Sequence, residues 1–338
     1  MRQPQDLRRR NRQDVVFYLL SEAALTRPQL AELTGLSKVT VNAIVQELVF
    51  CGVAEMTGGQ GGLLGRNPRV VRLHSQAGVV AALDVQPPCM QFQLLDLRGQ
   101  AIQKGEVRYA APDVTAILAE HIRKLKRQKH GPLRHVVLGL PAPIDASGEV
   151  AEPNALTELD VPALRQALER TKVPWSMEND ANLVALAVAR ECPDFSHLAA
   201  LVERESGTGL GLILDGELYR GSHGRAGELG RSRWPTHGRA EYLEQLPVPE
   251  RSRATAFLLA SLVQTLDLQH VVLGLPAGGA ETLRRELTLL LGSGVTFSSQ
   301  VDVDSLALTG AACRAVEAGQ RALLQHLETL PGGIGDVA

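Results

Sequence analysis

Aromatic residues are scarce: six Phe, four Tyr and two Trp in 338 residues, 4% of the chain. So few rings argue against the stacking platforms on which single-stranded nucleic acid is bound. Cysteine is scarcer still. Its four copies, Cys51, Cys89, Cys192 and Cys313, stand far apart. That spacing excludes a Cys-x-x-Cys metal or redox motif and argues against a disulfide framework. No uninterrupted apolar run approaches the roughly 20 residues of a membrane span, so no membrane partner is expected. The start, Met1 to Arg10, carries charge with no apolar segment behind it. A signal peptide needs that segment, and the expectation is a cytoplasmic protein. What the chain does have is ordinary globular material, 44% hydrophobic and 21% charged. That composition can bury a core, and the length suits about two domains.

The formal net charge is only −2, but it is unevenly spread. Residues 1–75 hold ten Lys/Arg against six Asp/Glu, while the rest holds 25 against 31. Five of the early cations fall within the first twelve residues: Arg2, Arg8, Arg9, Arg10 and Arg12. A small basic front on a large acidic body suits contact with a polyanion. A solvated N-terminal tail would have the same composition.

Residues 13–50 predict three helices. Val16, Leu19, Leu20 and Ala23 repeat with helical period. The second helix has Thr26 as N-cap and Pro28 in its first turn, and buries Leu30 and Leu33. Gly35 can take the left-handed conformation that ends this helix, and Ser37 can cap the third. The third helix places Val41, Ile44, Val45 and Leu48 on one face. Strands at Gly52–Met56 and Arg66–Leu73 flank a glycine-rich loop, Gly58–Gly65. The pattern is a winged helix-turn-helix with a basic N-terminal arm, residues 1–75. On the third helix, Val39, Ala43 and Gln46 point away from the buried stripe, with Lys38, Thr40 and Asn42 beside them. Asn and Gln can read adenine edges and Val a thymine methyl. Ser37 and Lys38 suit phosphates, Arg66 suits a narrow minor groove, and Arg8, Arg9 and Arg10 would complete the DNA contact.

From Gly78 strands alternate with helices. Strands are predicted at Val79–Val85, Gln91–Leu97 and Ala101–Tyr109, then a helix from Asp113 to about Lys129 and a strand at His135–Gly139. The second half repeats this order, with strands at Leu198–Glu203, Gly209–Leu214 and Glu217–Arg220. An Asp215-Gly216 hairpin turn joins the last two. A helix from about Glu250 to Leu268 and a strand at His270–Leu273 complete it. Leu198-Ala-Ala-Leu201 is close to Ala81-Ala-Leu83. Two such units imply two similar lobes with a cleft between them.

These residues resemble the ROK group (repressor, open reading frame, kinase) of the actin-like, sugar-kinase superfamily. The likeness runs from about Asn11 to about Gly319. It rests on Thr26–Ser37, Val41–Leu48 and Gly65-Arg-Asn-Pro68 in the front, which match the repressor branch. In the body it rests on Gly139-Leu-Pro-Ala-Pro-Ile-Asp145, Glu178-Asn-Asp-Ala-Asn182, Gly207-Thr-Gly-Leu-Gly211, Asp215–Gly221 and Ala226-Gly-Glu-Leu-Gly230. The resemblance implies an α/β fold: the winged helix-turn-helix, then a two-lobed, ribonuclease H-like body at 76–330. The lobes would divide near 195, and a C-terminal helix at about 304–328 would pack back on the first. It also implies a homodimer, or a dimer of dimers, on a near-palindromic DNA site.

The departures are informative. Family kinases carry Asp-x-Gly-Gly-Thr on the first hairpin, whose N–H groups cradle phosphate. Here the stretch is Asp84-Val-Gln-Pro-Pro88, and proline has no N–H to donate. The Gly207–Gly211 turn survives, either as half a nucleotide site or as a tight hairpin needing small residues. The family's zinc cluster is replaced: Arg231 stands for its histidine and Gly238-Arg-Ala-Glu241 for its Gly-Cys-x-Glu. Arginine cannot supply a thiolate ligand, so no metal is expected, and no cofactor. By resemblance Asp180 matches the kinase base and Asn179, Glu228 and Glu241 match sugar contacts. Asn179 and Asp180 would serve equally as a helix cap. Arg231 favours an anionic ligand, such as a sugar phosphate or sugar acid, or else pairs internally with Glu228. The expectation is a DNA-binding transcriptional repressor. It would have a carbohydrate-sensing cleft, with Asp180 a vestigial base, and no kinase activity. A sugar kinase with a fused DNA-binding head, or a regulator with a vestigial sugar site, remains open at this point.

Overall fold

The computed structural model describes residues 4–58, 69–145, 147–151, 155–236, 238–275, 277–292, 294–300 and 302–329. Most of the glycine-rich stretch, with Arg66, and His237 lie outside the described residues. No helix among the described residues is long and apolar enough to cross a membrane.

The first elements are α1 (Pro4–Ser21), β1 (Leu25–Thr26), α2 (Arg27–Thr34), α3 (Lys38–Phe50), β2 (Ala54–Gly58) and β3 (Arg69–Leu73). Local chemistry sets their ends. Thr26 caps α2 in a reciprocal box: the Thr26 N–H donates to Gln29 Oε1 at 2.8 Å, and Gln29 N–H to Thr26 Oγ1 at 3.4 Å. Gly35 ends α2 at φ +69°. The Ser37 hydroxyl then accepts the Thr40 N–H at 3.1 Å and starts α3. The buried stripe Val41, Ile44, Val45 and Leu48 meets Val15, Val16, Leu19 and Leu30. A three-stranded sheet, ordered β1-β3-β2, closes one side.

One reading needs correction. Helix was predicted from residue 13, behind a basic arm, but α1 begins at Pro4. Arg12 is 1% exposed. Its guanidinium lies 2.8 Å from the Glu47 carboxylate of α3 and donates to the Leu327 carbonyl at 2.7 Å. A charge count places Arg12 at the surface because its partners are distant in sequence.

Two sheets of one design follow. The first is built from β4 (Val79–Gln86), β5 (Cys89–Asp96), β6 (Ala101–Arg108), β7 (Leu133–Leu140) and β8 (Trp175–Asn179), with α4 (Val114–Lys126) and α5 (Val161–Thr171) interspersed. Helix α6 (Asp180–Glu191) leads to the second sheet. That sheet holds β9 (Leu198–Arg204), β10 (Gly207–Leu214) and β11 (Glu217–Leu218). A separate hairpin comes next, β12 (Arg233–Thr236) and β13 (Arg239–Tyr242). Helix α7 (Val248–Leu266), β14 (His270–Gly274), α8 (Ala277–Leu291) and β15 (Thr296–Ser299) complete it, before α9 (Val303–Thr329). Strand orders are β6-β5-β4-β7-β8 and β11-β10-β9-β14-β15. In each, the first two pairings are antiparallel and the last two parallel. The duplicated order expected from the sequence is therefore present. The Asp215-Gly216 turn has φ of 53° and 76°, the two left-handed residues of a hairpin-favouring turn.

Helices α6 and α9 pack against each other between the two sheets, α9 on β4, β5 and β7, and α6 on β9 and β10. Their shared core is continuous with that of α1–α3. Helices α4 and α5 cover the outer face of the first sheet, and α7 and α8 that of the second. Strand β4, central in its sheet, is apolar along nearly its whole length, as burial on both faces demands. Where α9 crosses α6, a Cβ at Gly310 would run into the Leu183 carbonyl. Gly310→Ala should therefore destabilise the protein by about 1–3 kcal/mol, despite the better helix propensity of alanine. Denaturant unfolding checks this.

Candidate functional site

The C-terminal ends of β8 and β9, the loop after β7, the start of β10 and the start of α6 converge on a cavity of about 370 Å³. Asn179, Asp180, Ser206, Thr208, Glu228, Arg231, Tyr242 and Glu244 supply its polar lining, and Pro141, Ala142, Pro143, Ala155 and Val202 most of its apolar wall. Of the residues expected to hold a ligand, the fold brings Asn179, Asp180, Glu228 and Arg231 together. Glu241 stands on β13, paired with Trp234, outside the cavity lining. The third carboxylate of the lining is Glu244.

Asn179 is the N-cap of α6, accepting the Asn182 N–H at 3.1 Å, while its amide donates to the Ala142 carbonyl at 3.1 Å. Asp180 opens the helix, and its carboxylate accepts three hydrogen bonds. Oδ1 accepts the Ala181 N–H at 2.9 Å. Oδ2 accepts Gln86 Nε2 at 2.9 Å and Arg204 Nη1 at 2.5 Å. Arg204 also approaches Asp84 Oδ2 at 3.3 Å and Asp304 Oδ1 at 3.0 Å, and donates to the Val303 carbonyl at 3.1 Å. Gln86 in turn accepts the Ser206 hydroxyl at 3.0 Å. Two sheets, α6 and the start of α9 are thus tied at one point.

Burial pushes the Asp84 carboxyl up to about 7, against the pull of the Arg204 guanidinium. Burial also raises Glu228, and the Arg231 guanidinium opposes it. Arg231 sits half-buried on the turn that follows Glu228, with no carboxylate oxygen within 4.0 Å among the described residues. The glycine run has a packing role: Gly211 would press a Cβ into the Ala181 carbonyl, and Gly209 into the Ala181 side chain. The Thr208 N–H donates to Glu244 Oε1 at 3.1 Å. The β12–β13 hairpin is braced by Trp234 against Phe257 of α7, centroids 5.7 Å apart, and by Arg233 over the Tyr242 ring at 4.8 Å. No cluster of three metal-ligating side chains occurs among the described residues.

A second surface lies on α3. Lys38, Val39, Ala43 and Gln46 are exposed on it, and Thr40 and Asn42 are half-buried. Val39 is 81% exposed. Arg9 and Arg10 of α1 are exposed, whereas Arg8 reaches to 3.5 Å from Glu47. Ser37 is exposed but its hydroxyl serves the cap.

Sequence reasoning missed Arg204, Gln86, Ser206 and Glu244. A signal existed for the first two. If Ala81-Ala-Leu83 and Ala199-Ala-Leu201 are matched, Gln86 and Arg204 occupy corresponding positions at the ends of corresponding strands. Both meet Asp180 Oδ2.

The ROK family profile matches residues 81–241 of this chain. The xylose repressor of Bacillus spizizenii (strain ATCC 23059 / NRRL B-14472 / W23) is 28% identical over 221 residues, which are 63% of this chain and 57% of that protein. The xylose repressor of Bacillus subtilis (strain 168) is 26% identical over 219 residues, 63% of this chain and 57% of that protein. The chain thus spans little more than half the length of these relatives. Among solved structures, a ROK family transcriptional regulator, a homolog of the E. coli MLC protein, has a TM-score of 0.69 at 15% identity, covering 95% of this chain and 99% of that one. A ROK family glucokinase from Streptomyces griseus, in complex with glucose and AMPPNP, has a TM-score of 0.58 at 16% identity, covering 71% and 100%. At these identities the structures show a common fold.

Asp84 makes stability depend on pH. The folded protein keeps this proton up to about pH 7, whereas a free aspartate releases it near 3.8. Folding therefore takes up a proton across that window, and stability falls as pH rises through it. Asp84→Asn should flatten the fall by up to about 1.4 kcal/mol per pH unit. Denaturant titrations of both proteins from pH 4 to pH 8 measure the difference.

Proposed function

We propose that this chain is a DNA-binding transcriptional repressor of the ROK type. Residues 1–75 would form a winged helix-turn-helix head and residues 76–330 a sensor body that does not transfer phosphoryl groups. The observation that carries the reading is α3, capped at Ser37, with Lys38, Val39, Ala43 and Gln46 exposed along one side. A helix after a short glycine turn, with such a face, fits the major groove. The repressors among the similar proteins support the same reading. In it Lys38, Arg9 and Arg10 meet phosphates, Val39, Gln46 and Asn42 meet base edges, and Arg66 is assigned to the minor groove.

The cavity is the proposed effector site. Its carboxylates, amide and hydroxyls suit the hydroxyls of a carbohydrate, and its apolar wall suits one sugar face. The xylose repressors among its relatives point to the same ligand class. Arg231, without a carboxylate partner, extends that class to sugar acids and sugar phosphates. Asp180 Oδ2 already bears Gln86 and Arg204 and offers little acceptor capacity for a substrate proton, which supports binding over catalysis. We further propose a homodimer, in which ligand-driven closure of the cleft changes the spacing of the two heads.

Two measurements test this reading. Genomic fragments selected by the purified protein should be bound more weakly by Lys38→Ala whatever their sequence, with a salt slope reduced by about 1, while Gln46→Ala shifts base preference. Indifference to every duplex at low salt would refute it. In thermal-shift screening, a sugar or sugar phosphate should raise Tm in the wild type and not in Glu228→Ala. A panel without effect on the wild type would remove the sensing assignment.

A further inference from the structure

Helix α9 is gripped at both ends by a buried arginine. At its first turn, the Arg204 side chain, 7% exposed, bonds the Val303 carbonyl and the Asp304 carboxylate while holding Asp180 of the cavity. At its last turn, the Arg12 side chain, 2% exposed, bonds the Leu327 carbonyl while pairing with Glu47 of α3. The whole helix, 27 residues, is about 40 Å long. At the C-terminus the Arg12 cation suits the negative end of the helix dipole, and at the N-terminus Asp304 suits the positive end and offsets the Arg204 charge.

We propose that Arg204 is a positioning residue that couples the cavity to the N-terminal helices, with α9 as the rigid link. The DNA part of this inference rests on the function proposed above; the mechanical part does not. Arg204 cannot change its hold on Asp180 without changing its hold on α9, because Nη1 serves the first and Nη2 the second. A ligand hydroxyl that donates to Asp180 competes for the oxygen that Arg204 now holds. Release of Arg204 frees the start of α9. The helix is packed along β4, β5, β7 and α6, so it moves as a body rather than bending locally. Its far end carries Leu327, and through Arg12 and Glu47 the motion arrives at the face of α3 opposite Gln46. The glycines at 310 and 319 sit where a Cβ would strike Leu183 and Val80, which lets α9 lie close to both partners. Because Arg12 and Glu47 are buried together, α3 has little freedom to stay behind.

Hydrogen exchange followed by mass spectrometry tests the coupling on the full chain without a ligand. Arg204→Gln should speed exchange of α3 amides 41–48 at least 10-fold, although the substitution lies at the opposite end of α9. Asp304→Asn, a gentler change, should produce the same pattern at smaller amplitude. Arg190→Ala removes an exposed pair between Arg190 and Glu317, midway along α9, and should leave 41–48 unchanged. Faster exchange confined to the cavity, with 41–48 at the wild-type rate in both Arg204→Gln and Asp304→Asn, would overturn the proposal. So would an equal acceleration in Arg190→Ala. If Arg204→Gln fails to fold, Asp304→Asn alone decides. In a parallel arm, affinity for selected genomic duplex should change at least 5-fold in Arg204→Gln, and an unchanged affinity would count against it. Absence of wild-type DNA binding would defeat the proposed function while the exchange pattern still judged the coupling.

Discussion

The guanidinium of Arg204 is the point on which the rest of the molecule turns. It brings one positive charge among three aspartates that belong to β4, α6 and α9. Without it, the buried carboxylates of Asp84 and Asp180 would face each other unpaired, at a cost of about 1–3 kcal/mol or more. Burial works against the guanidinium charge, but the three aspartates outweigh it and hold the proton firmly. The two sheets therefore meet through a charge cluster that the protein supplies for itself. The same cluster occupies Asp180 Oδ2 at the edge of the cavity.

That constraint makes sense of the surrounding sequence. Pro87 and Pro88 form a two-residue turn between paired strands β4 and β5, and neither offers an N–H to a phosphate. Gly209 and Gly211 give α6 room to lie on β10, which keeps Asp180 at the meeting point. Thr208 turns its N–H to Glu244. The Thr208 N–H is thus tied to a neighbour in the chain, beside a cavity lined by carboxylates, an amide and hydroxyls.

Much of the fold was legible because its signals are local. The caps at Thr26 and Ser37, the turn at Gly35 and the Asp215-Gly216 hairpin are each decided within four residues. The duplicated strand order was legible from alternation and from a three-residue echo between the halves. What escaped depends on distant partners or weak periodicity. Arg12 reads as part of a basic arm until Glu47 and Leu327 are brought to it. Arg204 reads as a strand-end cation until three aspartates surround it. Strands β8 and β15, Trp-Ser-Met-Glu-Asn and Thr-Phe-Ser-Ser, are short and largely polar edge strands with little pattern to recognise. Glu241 was assigned to the cavity through a motif that has lost its metal ligands. In the hairpin that stands there instead, pairing with Trp234 places Glu241 outside the lining, and Glu244 faces inward.

The central claim is that the cleft binds without transferring a phosphoryl group. Mass-spectrometric analysis of pentoses and hexoses incubated with the protein, Mg²⁺ and ATP tests it most directly. The account predicts no phosphorylated sugar above the protein-free control. Phosphosugar formed by the wild type and abolished by Asp180→Asn would contradict it.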